Sequence, residues 1–395
     1  MSNDLIIPDV PLTKTWLADV MEKKLGVRPT VGTSSTLVNG ELGYMSMIRK
    51  VGLNFEVDGD DSEFPKSVVL KITTTGKGLD AIEGASGDME APSEADKSMT
   101  EQFMHNTECD YYRVLSAANE KHIKIPKIYA LEDTINKTTE VPVIVMEMFE
   151  NCHLYDLIQG FSENQLFKLV DEIVALHVFS LTTEEWKKIK PDANIEKIMV
   201  EFHAVMHTIT DKLSDSPGME ILKVYSRNTF EKNPHFLAEN GQQYLNGNRL
   251  AVIAHGDMWA PQILWDSQEN IAGIIDWQIA HPGSPMEDLQ HLLSTCTTVE
   301  NRKRLTKPLI DHYYQKLSAG LEAKGVKVPW TREQIDEEYK FQLVASSAFT
   351  IFANGFWANS PILQTDGKPD IARITESFAR CQSFIKETVE AWNME

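Results

Sequence analysis

Apolar and polar positions follow two different periods along this chain. Up to about residue 148 the alternation is mostly strand-like. Tyr44–Phe55 alternates loosely, and the polar turn Asp58-Gly-Asp-Asp-Ser62 follows it. Ser67-Val-Val-Leu-Lys-Ile72 is a β-branched run, and Ile125–Leu131 and Val141–Met148 predict two further strands. Between them, residues 76–97 are rich in Gly, Ser, Asp and Glu and predict a long mobile loop, with a helix over residues 101–119. After Asn151 the period becomes helical, over residues 163–182, 193–213, 285–296, 301–324, 331–357 and 368–393. One strand-rich island, Leu250–Asp276, interrupts the helices. This order predicts an α+β, bilobal chain: a small β-rich lobe over 1–148 with a mobile insert, and a larger, mainly helical lobe over 149–395.

The island concentrates chemistry. Leu250-Ala-Val-Ile-Ala254 runs into His255-Gly256-Asp257, then come Ile263-Leu-Trp265, a turn, Ile271–Ile275 and Asp276-Trp277-Gln278. A hairpin about Gln268 sets Gln262 opposite the neighbourhood of Asp276, with Asp257 in the loop just before. Two carboxylates and an amide on one edge suit phosphoryl transfer. One carboxylate orients the attacking hydroxyl, while the other and the amide oxygen hold Mg²⁺ against phosphate.

Strand alternation places Val68, Leu70 and Ile72 on one face and Val69 with Lys71 on the other. A lysine in so apolar a strand requires an anion, because an unpaired buried ammonium is costly. The helix over 101–119 supplies one. Met104, Tyr111, Tyr112 and Leu115 form its apolar stripe, and Glu108 shares that face, opposite Gln102, His105, Asn106, Asp110 and Arg113. A Lys71–Glu108 pair accounts for both misplaced charges.

His255-Gly-Asp-Met-Trp-Ala-Pro-Gln262 followed by Ile274-Ile-Asp-Trp-Gln278 resembles the aminoglycoside-phosphotransferase and choline-kinase superfamily, and within it the ecdysteroid-kinase-like (CHK-type) branch. Glu108-Cys-Asp-Tyr-Tyr112 resembles the Glu-x-x-Phe/Tyr-Tyr helix of those proteins, and the likeness runs from about Gly32 to the last helix. The resemblance implies a protein-kinase-like fold and an ATP- and Mg²⁺-dependent kinase. It implies Asp257 as catalytic residue beside His255, and Asp276 and Gln262 as metal ligands, Gln262 standing where the family commonly has Asn. It implies that Lys71 and Glu108 clamp the nucleotide, that Ser46 in Val38–Ser46 meets a phosphate, and that Glu147 and Met148 grip adenine through their backbone. Asp288 would brace the catalytic loop, from a helix that Ser284-Pro-Met-Glu287 opens as a capping box. His177 is read as a core residue, and His281 and His291 carry no ligand spacing.

Trp259 follows close on Asp257, and Phe349, Phe352, Phe356 and Trp357 stud a late helix. An acceptor pocket of Trp259, Phe356 and Trp357 suits a flat, apolar alcohol, steroid-like or xenobiotic. A quaternary ammonium, as in a choline-type or aminoglycoside-type kinase, also binds aromatic faces. A weak pseudokinase that binds a ligand or partner is the alternative from another class.

The rest of the composition narrows the partners. A net charge of −20 repels nucleic-acid backbones and anionic lipid. The N-terminus lacks a basic stretch followed by an apolar core, no run approaches a membrane span, and Cys109, Cys152, Cys296 and Cys381 are scattered. A reducing, cytoplasmic setting is expected, without disulfides or membrane insertion.

Overall fold

Ser67–Thr73 is buried on both faces for six residues, which only an inner strand of a covered sheet allows. The computed structural model describes residues 4–36, 46–57, 60–74, 93–118, 123–192, 194–358 and 360–395. In it α1 (Lys14–Leu25) precedes β1 (Thr30–Thr36), β2 (Ser46–Asn54) and β3 (Ser67–Thr73). Then follow α2 (Glu94–Ala117), β4 (Ile128–Glu132) and β5 (Val143–Glu147). The strands form one antiparallel sheet in the order β1-β2-β3-β5-β4, and its register sets Lys71 opposite Ile48 on one side and Ile144 on the other. Val68, Leu70 and Ile72 enter a core with Leu17, Met21, Val51, Leu53 and Val145. Each such side chain stabilises the sheet by about 1.5–3 kcal/mol. Lys71 lies on the other face.

Two expectations change here. The loop expected over 76–97 ends earlier, because α2 opens at Glu94 behind a reciprocal cap: Ser93 Oγ accepts from the Asp96 amide, and Asp96 accepts from the Ser93 amide. Its polar capping residues have loop-like composition, which hides the first turns of the helix. The remainder of that insert, and the glycine loop Val38–Met45, lie outside the described residues. His105, expected on the solvent face of α2, is 2% exposed and donates from Nε2 to the Glu132 carbonyl at 2.9 Å.

These elements belong to one compact unit, Met1–Leu79, Pro92–Cys152 and Ala272–Gln278; His153–Ile271 and Ile279–Glu395 belong to a second. The second unit carries α3 (Glu163–Thr182), α4 (Ile195–Ser214), α5 (Ile221–Asn228) and α6 (Phe236–Leu245). The island follows, with β6 (Val252–Ala254) and β7 (Ile263–Trp265); β8 (Ile271–Ile274) carries the chain into the 272–278 segment, and β9 (His281–Gly283) resumes the second unit. Then come α7 (Glu287–Thr295), α8 (Val299–Ala323), α9 (Arg332–Trp357), the short strands β10 (Gln364–Thr365) and β11 (Lys368–Pro369), and α10 (Ile371–Ala391).

The turn after β7 is closed by Asp266, whose Oδ1 accepts from the amides of Gln268 and Asn270, both at 2.8 Å. β6 pairs antiparallel with β9, and the Ser180 hydroxyl of α3 accepts from the Ile253 amide at 3.0 Å. His177 is a core residue: it is 1% exposed and shares a 2.8 Å hydrogen bond with the Tyr313 hydroxyl. Its pKa falls to about 3 because burial disfavours the imidazolium. Among the described residues no helix is long and apolar enough to cross a membrane.

Candidate active site

The first unit builds a charge cluster around Lys71. Its Nζ lies 2.5 Å from Glu108 Oε2 and also contacts Asp276 Oδ1. Lys71 is 5% exposed and Glu108 is wholly buried. Burial alone would lower the lysine pKa, but the Asp276 and Glu108 carboxylates outweigh it and raise the pKa above its ordinary value. Glu108 moves up as well, because burial opposes its charge more than Lys71 favours it. Lys71 is thus a cation held between two carboxylates, one of them wholly buried.

Asp276 reaches Lys71 from a turn. The Ile274 amide of β8 is bonded to the Lys124 carbonyl at 2.6 Å, and Trp277 folds back so that its Nε1 donates to the Ile274 carbonyl at 3.1 Å. Trp277 is 1% exposed and anchors the turn. Asp276 between them has φ 71°, in the left-handed region. Such backbone in a non-glycine residue costs on the order of 1–3 kcal/mol and concentrates at functional sites. One step earlier, a Cβ on Gly273 would come within 2.3 Å of the Phe149 ring, so the chain needs glycine to pass there.

The second unit builds a braced loop. Buried β6 delivers His255, which is 0% exposed, and Gly256, with φ +82°. A Cβ on Gly256 would stand 2.9 Å from the Ile279 carbonyl. Asp288, near the start of α7, accepts from the amides of His255 and Gly256, both at 2.9 Å. Burial, with Glu287 second, raises the Asp288 pKa to about 7 against the pull of those two N–H groups. Gly256→Ala meets both the strained φ and the carbonyl. We expect it to lower stability by about 1–3 kcal/mol, read as a lower melting temperature; an unchanged melting curve would show that the loop relaxes.

Asp257 is thus set at the mouth of a fixed turn, with its side chain 28% exposed. Its Oδ2 accepts from Trp259 Nε1 and from Gln262 Nε2, each at 3.3 Å, while His291 Nε2 lies 3.7 Å from Oδ1. Its own amide donates to His255 Nδ1 at 3.3 Å. Trp259 stacks on Trp357 of α9, centroids 5.2 Å apart and planes inclined by 22°. Phe356 turns toward Phe352, centroids 6.0 Å apart. Among the described residues no cluster of three or more His, Cys, Asp or Glu forms a ready-made metal cage.

The other candidates fall as follows. Ser46 opens β2 and is half-buried. Glu147 ends β5, with its amide bonded to the Lys127 carbonyl at 2.8 Å and its carboxylate accepting from the Lys127 amide at 2.9 Å. That amide is therefore already used within the sheet. The capping box expected at Ser284 does not form. Met286 is the cap residue of α7, Ser284 Oγ accepts from the Met286 amide at 3.2 Å, and Glu287 turns instead to His281 at 3.2 Å.

Two residues of this neighbourhood escaped the sequence reading. His281 donates from Nδ1 to the Ile279 carbonyl at 2.8 Å and pairs through Nε2 with Glu287. Burial would lower its pKa, but Glu287 overrides that and lifts it to about 9. His291 stands beside Asp257. A signal for His291 existed: Asp288 and His291, three apart on a helix, share one face, so a loop braced by Asp288 also meets His291.

The family model described as "DUF1679: Uncharacterized oxidoreductase dhs-27" matches residues 13–378. A curated relative, "Uncharacterized kinase-like protein D1044.1" of Caenorhabditis elegans, is 22% identical over 277 residues, 67% of this chain and 70% of the relative. Among solved structures, choline kinase from Cryptosporidium parvum Iowa II superposes with a TM-score of 0.51 at 11% identity, over 91% of this chain and 90% of that one. Choline kinase LicA from Streptococcus pneumoniae covers 94% of this chain and 98% of its own at 14% identity, with a TM-score of 0.42 that adds nothing to the fold argument. The fold is kinase-like, α+β. The five-stranded sheet is antiparallel throughout, unlike the parallel sheet of dinucleotide-binding oxidoreductases. With its model spanning nearly the whole sequence, the chain belongs to the DUF1679 family, on a kinase-like fold.

Proposed function

We propose that the protein is an ATP- and Mg²⁺-dependent phosphotransferase that phosphorylates a hydroxyl of a small molecule. The observation that carries the reading is Lys71 held between Glu108 and Asp276, with Asp276 on strained backbone. Such a lysine is placed to meet the phosphate oxygens of a bound nucleotide, and Asp276 beside it would be a ligand for the accompanying Mg²⁺. The kinase-like relative and the choline kinase fold support the same reading.

The donor chemistry of each residue suits Mg²⁺, which takes hard oxygen ligands: Asp276 in the first unit would offer a carboxylate and Gln262 in the second an amide oxygen, with phosphates and water as the other ligands. When bound, the ion would neutralise charge that develops on the phosphates. Asp257, held by Trp259 and Gln262, orients the acceptor hydroxyl and takes its proton. Lys71 steadies the nucleotide, and Asp288 keeps the loop from moving. Trp259 and Trp357 stack on one another beside Asp257 and are buried, 7% and 4% exposed; from this aromatic pair and the ecdysteroid-kinase-like resemblance we infer a steroid-like or xenobiotic alcohol as acceptor.

The test is ATP consumption with Mg²⁺ across sterols, choline and amino sugars. Turnover with a sterol alcohol supports the acceptor assignment, and turnover with choline or amino sugars alone removes it. Gln262 has a test of its own. Gln262→Asn should keep activity, whereas Gln262→Leu should raise the Mg²⁺ concentration needed for half-maximal rate about tenfold or more, the scale of a charge-assisted contact. An indifferent Gln262→Leu would show that the amide serves Asp257 alone.

A further inference from the structure

His291 is 9% exposed, and its Nε2 finds no hydrogen-bond partner among the described residues. A buried polar atom left in this state is costly unless something that binds there satisfies it. Its 3.7 Å separation from Asp257 Oδ1 is too long for a direct hydrogen bond. It is short enough for one oxygen to bond both atoms at once. From these observations we propose that the seat between His291 Nε2 and Asp257 Oδ1 receives the attacking oxygen, of the acceptor hydroxyl or of water, and that His291 is a second substrate-contacting residue. The inference rests on the kinase reading and adds a residue to it.

The chemistry divides cleanly between the two side chains. The attacking oxygen donates its proton to Asp257 Oδ1 and accepts from His291 Nε2–H, which turns a lone pair toward the γ-phosphorus. The new O–P bond forms as the bond from phosphorus to the β–γ bridging oxygen breaks. ADP departs with that electron pair, and the proton stays on Asp257. A neutral imidazole suits this role. Burial lowers the His291 pKa to about 4, with Glu287 pulling the other way, so the ring brings no charge that would compete for the Asp257 carboxylate. No element of this seat is needed to hold the loop, since Asp288 does that.

Water is the probe acceptor, so the test does not wait on the natural substrate. ATP hydrolysis by the whole chain is followed with Mg²⁺ for wild type, His291→Gln, His291→Asn and Asp257→Asn, alongside melting curves and the KM for ATP. Glutamine places an amide nitrogen near the position of Nε2, whereas asparagine reaches only as far as Nδ1. His291→Gln should therefore keep most of the hydrolysis rate. His291→Asn should lose about tenfold in kcat, the worth of one hydrogen bond, with KM for ATP and melting temperature close to those of His291→Gln. Equal rates in the two variants, with Asp257→Asn inactive, would overturn the role of His291 and leave the kinase reading standing. A wild-type chain that neither binds nor hydrolyses Mg·ATP would overturn both.

Discussion

Asp257→Asn should abolish phosphotransfer while leaving nucleotide binding intact. The change removes a proton acceptor and almost no volume, and general-base loss costs about 10²- to 10⁴-fold in kcat. The geometry makes the variant unusually clean. Asp257 Oδ2 accepts from Trp259 and Gln262, and an asparagine carbonyl oxygen can keep both bonds. The loop itself is held by Asp288 through the His255 and Gly256 amides, not by Asp257. Single-turnover kinetics with ATP, together with ATP titration, check the outcome. A variant with near-wild-type turnover would remove Asp257 from the chemistry.

Lys71 and Glu108 should behave as one unit, and unequally. Lys71→Ala leaves Glu108 buried with its close cation gone, the situation in which breaking a buried pair costs about 3–5 kcal/mol. Glu108→Ala leaves Lys71 still in contact with Asp276, so its stability loss should be smaller. The double variant should cost less than the sum of the two, with a coupling of about 0.5–3 kcal/mol. Denaturant melts of the four proteins close the cycle, and ATP affinity measured on the same set should fall in both single variants. Strict additivity would mean that the pair does no joint work.

The elements that sequence reading captured best are those whose signal is local and periodic. Helix α3 coincides with its predicted bounds because a reciprocal Ser162–Gln165 cap opens it and an unbroken apolar stripe runs through it. Lys71 and Glu108 were readable as charges standing where apolar residues belong. That Lys71 also meets Asp276 was not readable, because the contact joins positions 205 apart and depends on the backbone reversal at Asp276. Helices α5 and α6 were missed because they are short, at 8 and 10 residues, and follow the proline- and asparagine-bearing stretches that read as loops. Ser284-Pro-Met-Glu287 matched a capping pattern, yet Glu287 pairs with His281 across the strand instead. Charge partners in space outweighed a local cap worth about 1 kcal/mol. His291 has no metal-ligand spacing along the chain, and its place beside Asp257 follows from sharing a helix face with Asp288.

The most direct test of the central claim is whether the purified chain, given Mg·ATP and a panel of sterol alcohols, choline and amino sugars, yields a phosphate monoester by mass spectrometry. The account predicts a phosphorylated alcohol with stoichiometric ADP from the wild-type chain, and none from Asp257→Asn. A wild-type chain that binds no Mg·ATP and transfers no phosphate, yet consumes a reduced nicotinamide, would contradict it.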